Sequence, residues 1–417
     1  MKSSSLPIIA IVGAGPAGLS AAIHAAQNAV ALVHVLEANS VAGRKLLITG
    51  GGRCNLTHDL EPKQFQKSFC EGRRFLSYAL HEYPVKAQIA FFEQRDLATR
   101  IEPDGCVFPT TDRASDVRDI LIKEAGQLDV QIKYDHSVTA IFKKEDCFLI
   151  QTQGGTLQAD KVILATGGKS YPQTGSTGDG YRFAKSFGHR VVTPRPSLVP
   201  LVLAQRWLQD VAGTALDNVG LTAKRDGKPV STSGKLVFTQ NGVGGFAAQD
   251  MSRFLTDNLP NPGSPIPVAL DCLGDIPVAR LDIQIRDLCQ AQSKKTVVKL
   301  ISTLLPKRLA KVVCGFCDCP DTRLACQFSK PKRLALVQTI KAVKLSAVGT
   351  RPIEEATVTR GGIARDQINP KTMGSTLCPG LYFAGEVLDV DGPCGGYHLQ
   401  MCWSTGAVAG HAAARGD

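Results

Sequence analysis

Apolar and polar positions alternate in several distinct rhythms along the chain. Pro7–Val12 is a short, unbroken apolar run closed by glycines. Ala14–Gln27 is rich in Ala and carries Leu19 and Ile23 on one helical face. Val30–Leu36 is a second apolar run ending at Glu37. The pattern predicts strand, turn, helix and strand within about thirty residues, the unit from which parallel sheets are built. Residues 73–125 predict mostly helix, with a turn at Pro103–Gly105. Val130–Phe142 and Cys147–Leu157 predict hairpin strands. Lys161–Ala165 predicts a buried strand running into Thr166, Gly167 and Gly168. Residues 178–188 predict a helix closed by Gly188, a residue type suited to the left-handed position after a helix. Pro194, Pro196 and Pro200 mark a chain crossing, and residues 198–272 become strand-like with Gly, Asn and Asp turns. Residues 275–343 predict helices. From Glu355 the strand rhythm returns, and a helix is predicted over Tyr397–Ala414.

Composition narrows the class. The chain has 417 residues, 43% apolar and 20% charged, which is globular and long enough for two or three domains. No window reaches the roughly 18 uninterrupted apolar residues of a membrane-spanning helix. Lys2 and the run Leu6–Val12 imitate a signal peptide, but glycines at 13, 15 and 18 break it, and the strand-to-helix turn explains the run better. Thirteen scattered cysteines, an odd number, predict reduced thiols and a cytoplasmic protein. The net charge is +11, and residues 275–345 hold 14 Lys/Arg against 5 Asp.

Gly13-Ala14-Gly15-Pro16-Ala17-Gly18 fits G-x-G-x-x-G. It follows a strand, opens a helix, and is followed by an acid, Glu37, at the end of the next strand. That context predicts a dinucleotide clamp. Gly13 permits the tight turn, Gly15 lets the backbone approach a pyrophosphate, and Gly18 lets the helix pack on the sheet. The helix N-terminus offers N–H groups and partial positive charge to phosphate. Glu37 accepts from adenosine ribose hydroxyls and repels a 2′-phosphate, which favours FAD or NAD over NADP. A second strand, Leu381–Ala384, ends at Gly385-Glu386, followed by Gly395-Gly396 and the C-terminal helix. The acid is suited to a ribityl chain, and the helix N-terminus to the charge that develops on a reduced flavin. With the Ala165–Gly168 turn, these pieces point to non-covalently held FAD.

Several segments carry a family resemblance: GRKLLITGGGRCNLT (43–57), LATGGKSYPQTGSTGDGY (164–181), PSLVPL (196–201), LLPKRLAK (304–311), TRPIEEATVTRGGI (350–363) and INPKTMGSTLCPGLYFAGEVLDVDGPCGGYHLQ (368–400). The chain resembles, end to end, the BaiN/YhiN-like FAD-dependent oxidoreductases, which include bile-acid-type enone reductases and an aminoacetone oxidase. The resemblance implies an α/β fold, a Rossmann-like FAD-binding domain of the glutathione-reductase type with two dinucleotide-binding motifs. An insert with a small β-barrel and a helical subdomain interrupts it. The implied domains are 1–193 with 344–417 for FAD, 194–274 with part of 336–343 for the β-rich insert, and 275–335 for the basic helical insert. The implied FAD contacts are Gly13, Ala14, Gly15, Pro16, Ala17 and Gly18 at the pyrophosphate, and Glu37 and Ala38 at the ribose. Arg44 and Lys45 neutralise phosphate. Gly51, Gly52, Arg53, Cys54 and Asn55 line the flavin, and Val138 lies against adenine near Thr166 and Gly167. Gly385 and Glu386 take the ribityl chain, while Gly395, Gly396, Tyr397, His398 and Leu399 cap the ring. The sequence departs from the family in the insert, where a usual L-F-T-H-x-G-x-S-G-P reads Val237-Phe-Thr-Gln240-Asn-Gly-Val-Gly244-Gly-Phe246. The usual GPTGGYN also reads Gly392-Pro-Cys394-Gly-Gly-Tyr-His398.

The remaining features are weighed against simpler roles. Cys314, Cys317, Cys319 and Cys326 include one clean C-x-x-C, short of the paired knuckles of a zinc site, and free thiols are preferred. Cys54 and Cys394 are read as packing residues. Tyr397 and His398 are candidate proton donors, with Tyr171 a weaker one. The basic helical segment solvates a face, steers an anionic substrate or binds RNA phosphates. Its few aromatics, Phe316 and Phe328, leave little for base stacking, so a nucleic-acid partner is not the preferred expectation. The expected function is reduction of a small organic acceptor, an enone-like activated C=C, by FAD recharged from NAD(P)H. Alternatives are a peroxide-producing flavin oxidase of a small amine and a flavin-bearing RNA-binding protein. No membrane partner is expected, and the oligomeric state is left open.

Overall fold

The structure is a computed structural model that describes residues 6–28, 31–70, 72–257, 259 and 264–416; Val30 and Lys2, used above, lie outside them. It divides into two compact units. The first comprises the chain up to Arg195 and from Thr357 onward; the second is Pro196–Ala356. The boundary falls within the three-proline crossing.

The first unit is built on a five-stranded parallel sheet. Strand β1 (Ile8–Val12) is central, with β2 (Leu32–Leu36) and β3 (Gln131–Lys133) on one side and β4 (Lys161–Leu164) and β5 (Leu381–Phe383) on the other. The register pairs Val12 with Leu36 and with Leu164, so the three strands end level. All but the edge strand β3 are near-continuous apolar runs, as expected of a covered parallel sheet. Helix α1 (Pro16–Asn28) and the C-terminal helix α2 (Tyr397–Arg415) pack against each other more extensively than any other pair. Small residues allow it. A Cβ on Gly406 would stand 2.5 Å from the Ala17 carbonyl oxygen, and one on Gly410 would stand 2.3 Å from that of Ala21. The two helices therefore meet backbone to backbone.

The segment 73–125 is less helical than its pattern suggests. Helices Ser77–Glu82, Val85–Glu93 and Ala114–Gln127 form, but Thr99–Ile101 and Cys106–Pro109 pair as a hairpin. The turn at Pro103–Gly105, with Gly105 at φ +87°, and the flanking Ile, Val and Phe override a helical reading.

A buried histidine lies on α1. His24 Nδ1 donates to the Ser20 carbonyl oxygen at 2.8 Å, and its ring meets Tyr83 and His411 edge-on. Burial pushes its pKa down from 6.5 to about 4. Below pH 6.5 the unfolded chain binds a proton at this residue that the folded chain refuses until about pH 4, so stability falls as pH drops through that window. The gap corresponds to about 3 kcal/mol. Burial lowers His34, His58, His189 and His411 as well, in the same direction. Denaturant midpoints at pH 7 and pH 5 are expected to diverge less for His24→Phe than for the wild-type protein.

The second unit is a closed six-stranded barrel, in the order Leu201–Leu203, Gly242–Gly244, Lys228–Thr239, Ala215–Arg225, Ile266–Asp271 and Val343–Thr350. Helices Val278–Ala291, Val297–Ile301, Lys307–Gly315 and Lys330–Lys341 share its core, with Leu281, Ile285, Leu309 and Leu336 clustered with Leu221, Phe238 and Leu270. A further helix, Phe246–Leu255, interrupts the stretch that reads as strands. Its buried positions Ala247, Ala248, Met251, Ser252 and Leu255 follow helical spacing.

Candidate active site: a glycine turn and a partly buried ion pair

The turn after β1 is shaped by its glycines in three different ways. Gly13 sits at φ +101°, donates its N–H to Leu36 O at 2.8 Å, and a Cβ there would stand 2.7 Å from Ala165 O. A Cβ on Gly18 would collide with Gly13 O at 1.9 Å. Gly15 differs, because its φ is ordinary and a Cβ would meet nothing within 4 Å. Neither the turn nor packing asks for glycine there. It leaves open the space before the first turn of α1, where the unpaired N–H groups of a helix start attract a phosphate. Beside this turn, Thr166 Oγ1 is buried without a hydrogen-bond partner. An open cradle and an orphaned hydroxyl fit a bound dinucleotide.

Glu37 is buried at the end of β2. Its Oε2 accepts from the Ala14 N–H at 2.8 Å, and its Oε1 from the N–H and Nδ2 of Asn39 at 2.9 and 2.6 Å. The carboxylate is thus fixed beside the glycine turn. Ala38 is exposed next to it, and Arg44 Nη1 donates to Asn39 Oδ1 at 2.8 Å. Val138 is buried two residues beyond His136, whose N–H donates to Glu37 O. Pro16 and Ala17 open α1.

Strand β5 delivers the second acid. Gly385, at φ +76°, donates its N–H to Thr405 Oγ1 at 3.0 Å, and a Cβ there would touch that of Ala17 at 2.6 Å. Glu386 follows, partly buried. Its Oε2 pairs with Lys45 Nζ at 2.8 Å, and its Oε1 accepts from the Thr359 N–H at 2.6 Å and Ser170 Oγ at 3.2 Å. Lys45 Nζ also donates to Ser170 Oγ at 2.6 Å. Burial would raise the Glu386 carboxyl, but Lys45 and the Thr359 N–H outweigh it and hold it below the usual range. The pair joins residues 341 apart in sequence.

The segment Leu46–His58 clamps the start of α2. Thr49 to Gly52 depart from helical geometry, with Gly50, Gly51 and Gly52 at φ +57°, +69° and +89°. Cys54 is buried, and burial pushes its thiol up to about 12. With its amide oriented to satisfy its neighbours, Asn55 accepts from the Gly396 N–H at 3.2 Å and donates to Thr57 O at 2.8 Å. His58 Nδ1 lies 3.1 Å from Gly395 O, and its ring stacks on Tyr397. Gly396 lies so close to Thr57 that a Cβ would stand 2.4 Å from its carbonyl oxygen. Trp403 Nε1 donates to Leu56 O at 3.0 Å.

Tyr397 and His398 diverge. Tyr397 is enclosed by His58, Phe65 and Phe69. His398 Nε2 lies 2.9 Å from Gly392 O. Leu399 packs partly buried against the core. Gly167, at φ +74°, faces Ser176. The sequence reading passed over His58, Ser170 and Thr359. His58 adjoins the GGGRCNLT motif, and Ser170 and Thr359 lie inside the segments 164–181 and 350–363. In the second unit, Cys314 and Cys319 are buried free thiols and Cys317 Sγ meets Thr339 Oγ1 at 3.2 Å. Among the described residues no three His, Cys, Asp or Glu side chains are grouped to hold a metal.

The family model described as the HI0933-like protein Rossmann domain matches residues 7–412. The chain belongs to this family of FAD-dependent oxidoreductases. It is 30% identical over 409 residues to the 3-dehydro-bile acid delta(4,6)-reductase of Clostridium scindens, covering 97% of this chain and 98% of the relative. It is also 30% identical over 399 residues to the ribosomal RNA dihydrouridine synthase of Escherichia coli, covering 95% of each. Among solved structures, a 3-ketosteroid delta1-dehydrogenase from Sterolibacterium denitrificans aligns over 100% of both chains with a TM-score of 0.53 at 12% identity. A 3-ketosteroid-delta4-(5alpha)-dehydrogenase from Rhodococcus jostii aligns over 99% of this chain and 98% of the other, with a TM-score of 0.51 at 16% identity. These likenesses support the Rossmann-type fold expected from the sequence. No described helix is long and apolar enough to cross a membrane.

Proposed function

We propose that this family member reduces a carbon–carbon double bond conjugated to a carbonyl, with electrons that NAD(P)H supplies through FAD. The observation that carries the reading is the pairing of an open glycine cradle at the start of α1 with a partly buried acid, Glu386, beside the start of α2. In this reading Gly13–Gly18 and Glu37 hold the adenosine diphosphate half, and Ala38, Arg44, Val138, Thr166 and Gly167 surround it. Glu386, held by Lys45 and Thr359, takes the ribityl hydroxyls. Gly51–Asn55 and Gly395–Leu399 flank the ring, and the positive end of α2 favours charge there. When bound, FAD supplies hydride transfer, while the chain's residues bind it, orient it and exclude water. Tyr397 and His398 are the candidates for returning a proton to the substrate.

The names of the two 30% relatives support the bond type. A bile-acid dienone and the uracil ring of uridine each hold a C=C conjugated to a carbonyl. Mixing the anaerobic flavoprotein with NADH or NADPH should bleach the yellow absorbance, and an enone should restore it. Bleaching by neither nucleotide removes the donor, and no restoration by any enone or uridine substrate removes the reaction.

A specific observation favours uridine in RNA over a small molecule. Lys294, Lys295, Lys299, Lys307, Arg308 and Lys330 are all exposed on the helical side of the second unit. Neutralising several phosphates makes binding steeply salt-dependent. Retention of RNA that falls by about tenfold or more between 50 and 200 mM salt supports this reading. Turnover of free enones that is indifferent to salt, with no RNA retained, supports the small molecule.

A further inference from the structure

We propose that Arg53 is the group that stabilises the oxyanion formed on the substrate carbonyl, an inference that rests on the reductase reading above. Hydride delivery to the β-carbon of a conjugated C=C moves the π-electron pair toward the carbonyl and leaves an enolate oxygen. A proton then reaches the α-carbon, and the bond is saturated with two electrons and two hydrogens added. The two electrons come from reduced flavin, which returns to its oxidised form. A donor fixed in advance at the enolate oxygen lowers the barrier, because it costs no reorganisation when charge appears.

Arg53 is built for that task. It follows the three left-handed glycines and stands two residues before Asn55, which holds Gly396 at the start of α2. Its guanidinium carbon lies over the Phe108 ring, 3.9 Å from the centroid. One edge is tethered, with Nη1 2.8 Å from Glu102 Oε1 and 3.8 Å from Asp112 Oδ1. Arg100 joins both acids, so two cations and two carboxylates close a network of zero net charge. Among the described residues, Nε and Nη2 make no hydrogen bond, and the side chain remains 40% exposed. A planar cation immobilised on one face and one edge thus keeps a donor edge outward. Beside it, a Cβ on Gly51 would meet nothing within 4 Å. Lys45, the cation eight residues earlier, is committed to Glu386.

The test separates the two half-reactions. Photoreduced protein is mixed anaerobically with cyclohexenone, and flavin reoxidation is followed. Arg53→Met is expected to slow reoxidation by about 10²–10³-fold, the effect of losing one preorganised oxyanion donor. Bleaching by the nicotinamide is followed in parallel, and the loss in reoxidation is expected to exceed any loss in bleaching by at least tenfold. Glu102→Gln, which loosens the tether, should give a smaller loss. Binding of para-chlorophenol, an enolate mimic read from its long-wavelength band with oxidised flavin, should weaken at least tenfold in Arg53→Met. Guanidinium ions should partly restore reoxidation in Arg53→Ala. Reoxidation of Arg53→Met within threefold of wild type overturns the assignment. Loss of flavin from both Arg53→Met and Arg53→Lys also overturns it, since Arg53 would then be a cofactor ligand. Wild-type reduced flavin that no enone or uridine substrate reoxidises overturns the function instead.

Discussion

Lys45→Met should lower stability by about 1–3 kcal/mol, the cost of leaving the partly buried Glu386 carboxylate without its charged partner. Glu386 would keep the Thr359 N–H and Ser170 Oγ but lose the nearest positive charge. Its carboxyl would then rise toward protonation, which caps the loss. Lys45→Met/Glu386→Gln removes both charges and should recover at least half the stability, because a neutral amide in the same pocket carries no desolvated charge. Thermal unfolding of the wild type, the two single variants and the double variant closes the cycle. Additive losses would mean that the pair does not interact energetically. The cycle is also informative about the cofactor, because the pair ties the glycine-rich segment after β2 to the acid after β5. Flavin retention is expected to fall with stability in Lys45→Met.

Gly410→Leu is the second large effect. Even its Cβ would overlap the Ala21 carbonyl oxygen, a backbone atom that moves only if α1 moves. Overfilling a packed contact costs about 1–3 kcal/mol, occasionally more, and here strain falls on the most extensive helix pair. The displacement also reaches the proposed flavin site. Gly385 touches Ala17 on α1, and α2 begins at the Gly395-Gly396 turn, so separating the helices misaligns both helix starts. Gly410→Leu should therefore lower the midpoint of unfolding and raise the dissociation constant for FAD together. Gly126→Ala is the control. That glycine lies in the helix Ala114–Gln127 with nothing within 4 Å of a Cβ, and alanine there should stabilise by about 0.5–1 kcal/mol. Equal effects from the two substitutions would refute the close-approach argument.

The sheet and its glycine turn are legible in the sequence because their determinants are local. Gly13, Gly18 and Glu37 lie within one strand–helix–strand unit, and the central strands β1, β2 and β4 are mostly apolar because they are buried. The hairpin at 99–109 was obscured because a few alternating residues between helices carry too little periodicity. The ion pair of Lys45 with Glu386 and the placement of Arg53 over Phe108 were hidden for a different reason. Each depends on side chains brought together from distant segments, and no spacing rule connects them. Glu37 lies between these cases. Its position at the strand end is a sequence signal, but its grip on the Ala14 N–H emerges only from the folded turn.

The interruption of the first unit has a consequence for how the protein is made. β5 and α2 follow the 161 residues of Pro196–Ala356 in the chain. At translation speeds of about 5–20 residues per second, the 217 residues from Leu164 to Leu381 delay β5 by roughly 11–43 s after β1 to β4 are complete. Throughout that delay the alanine face of α1 lacks its mate, and one edge of the nascent sheet stays open. A chaperone that shields this half-built layer should raise the yield of active enzyme more than one acting on the barrel, which is contiguous in sequence.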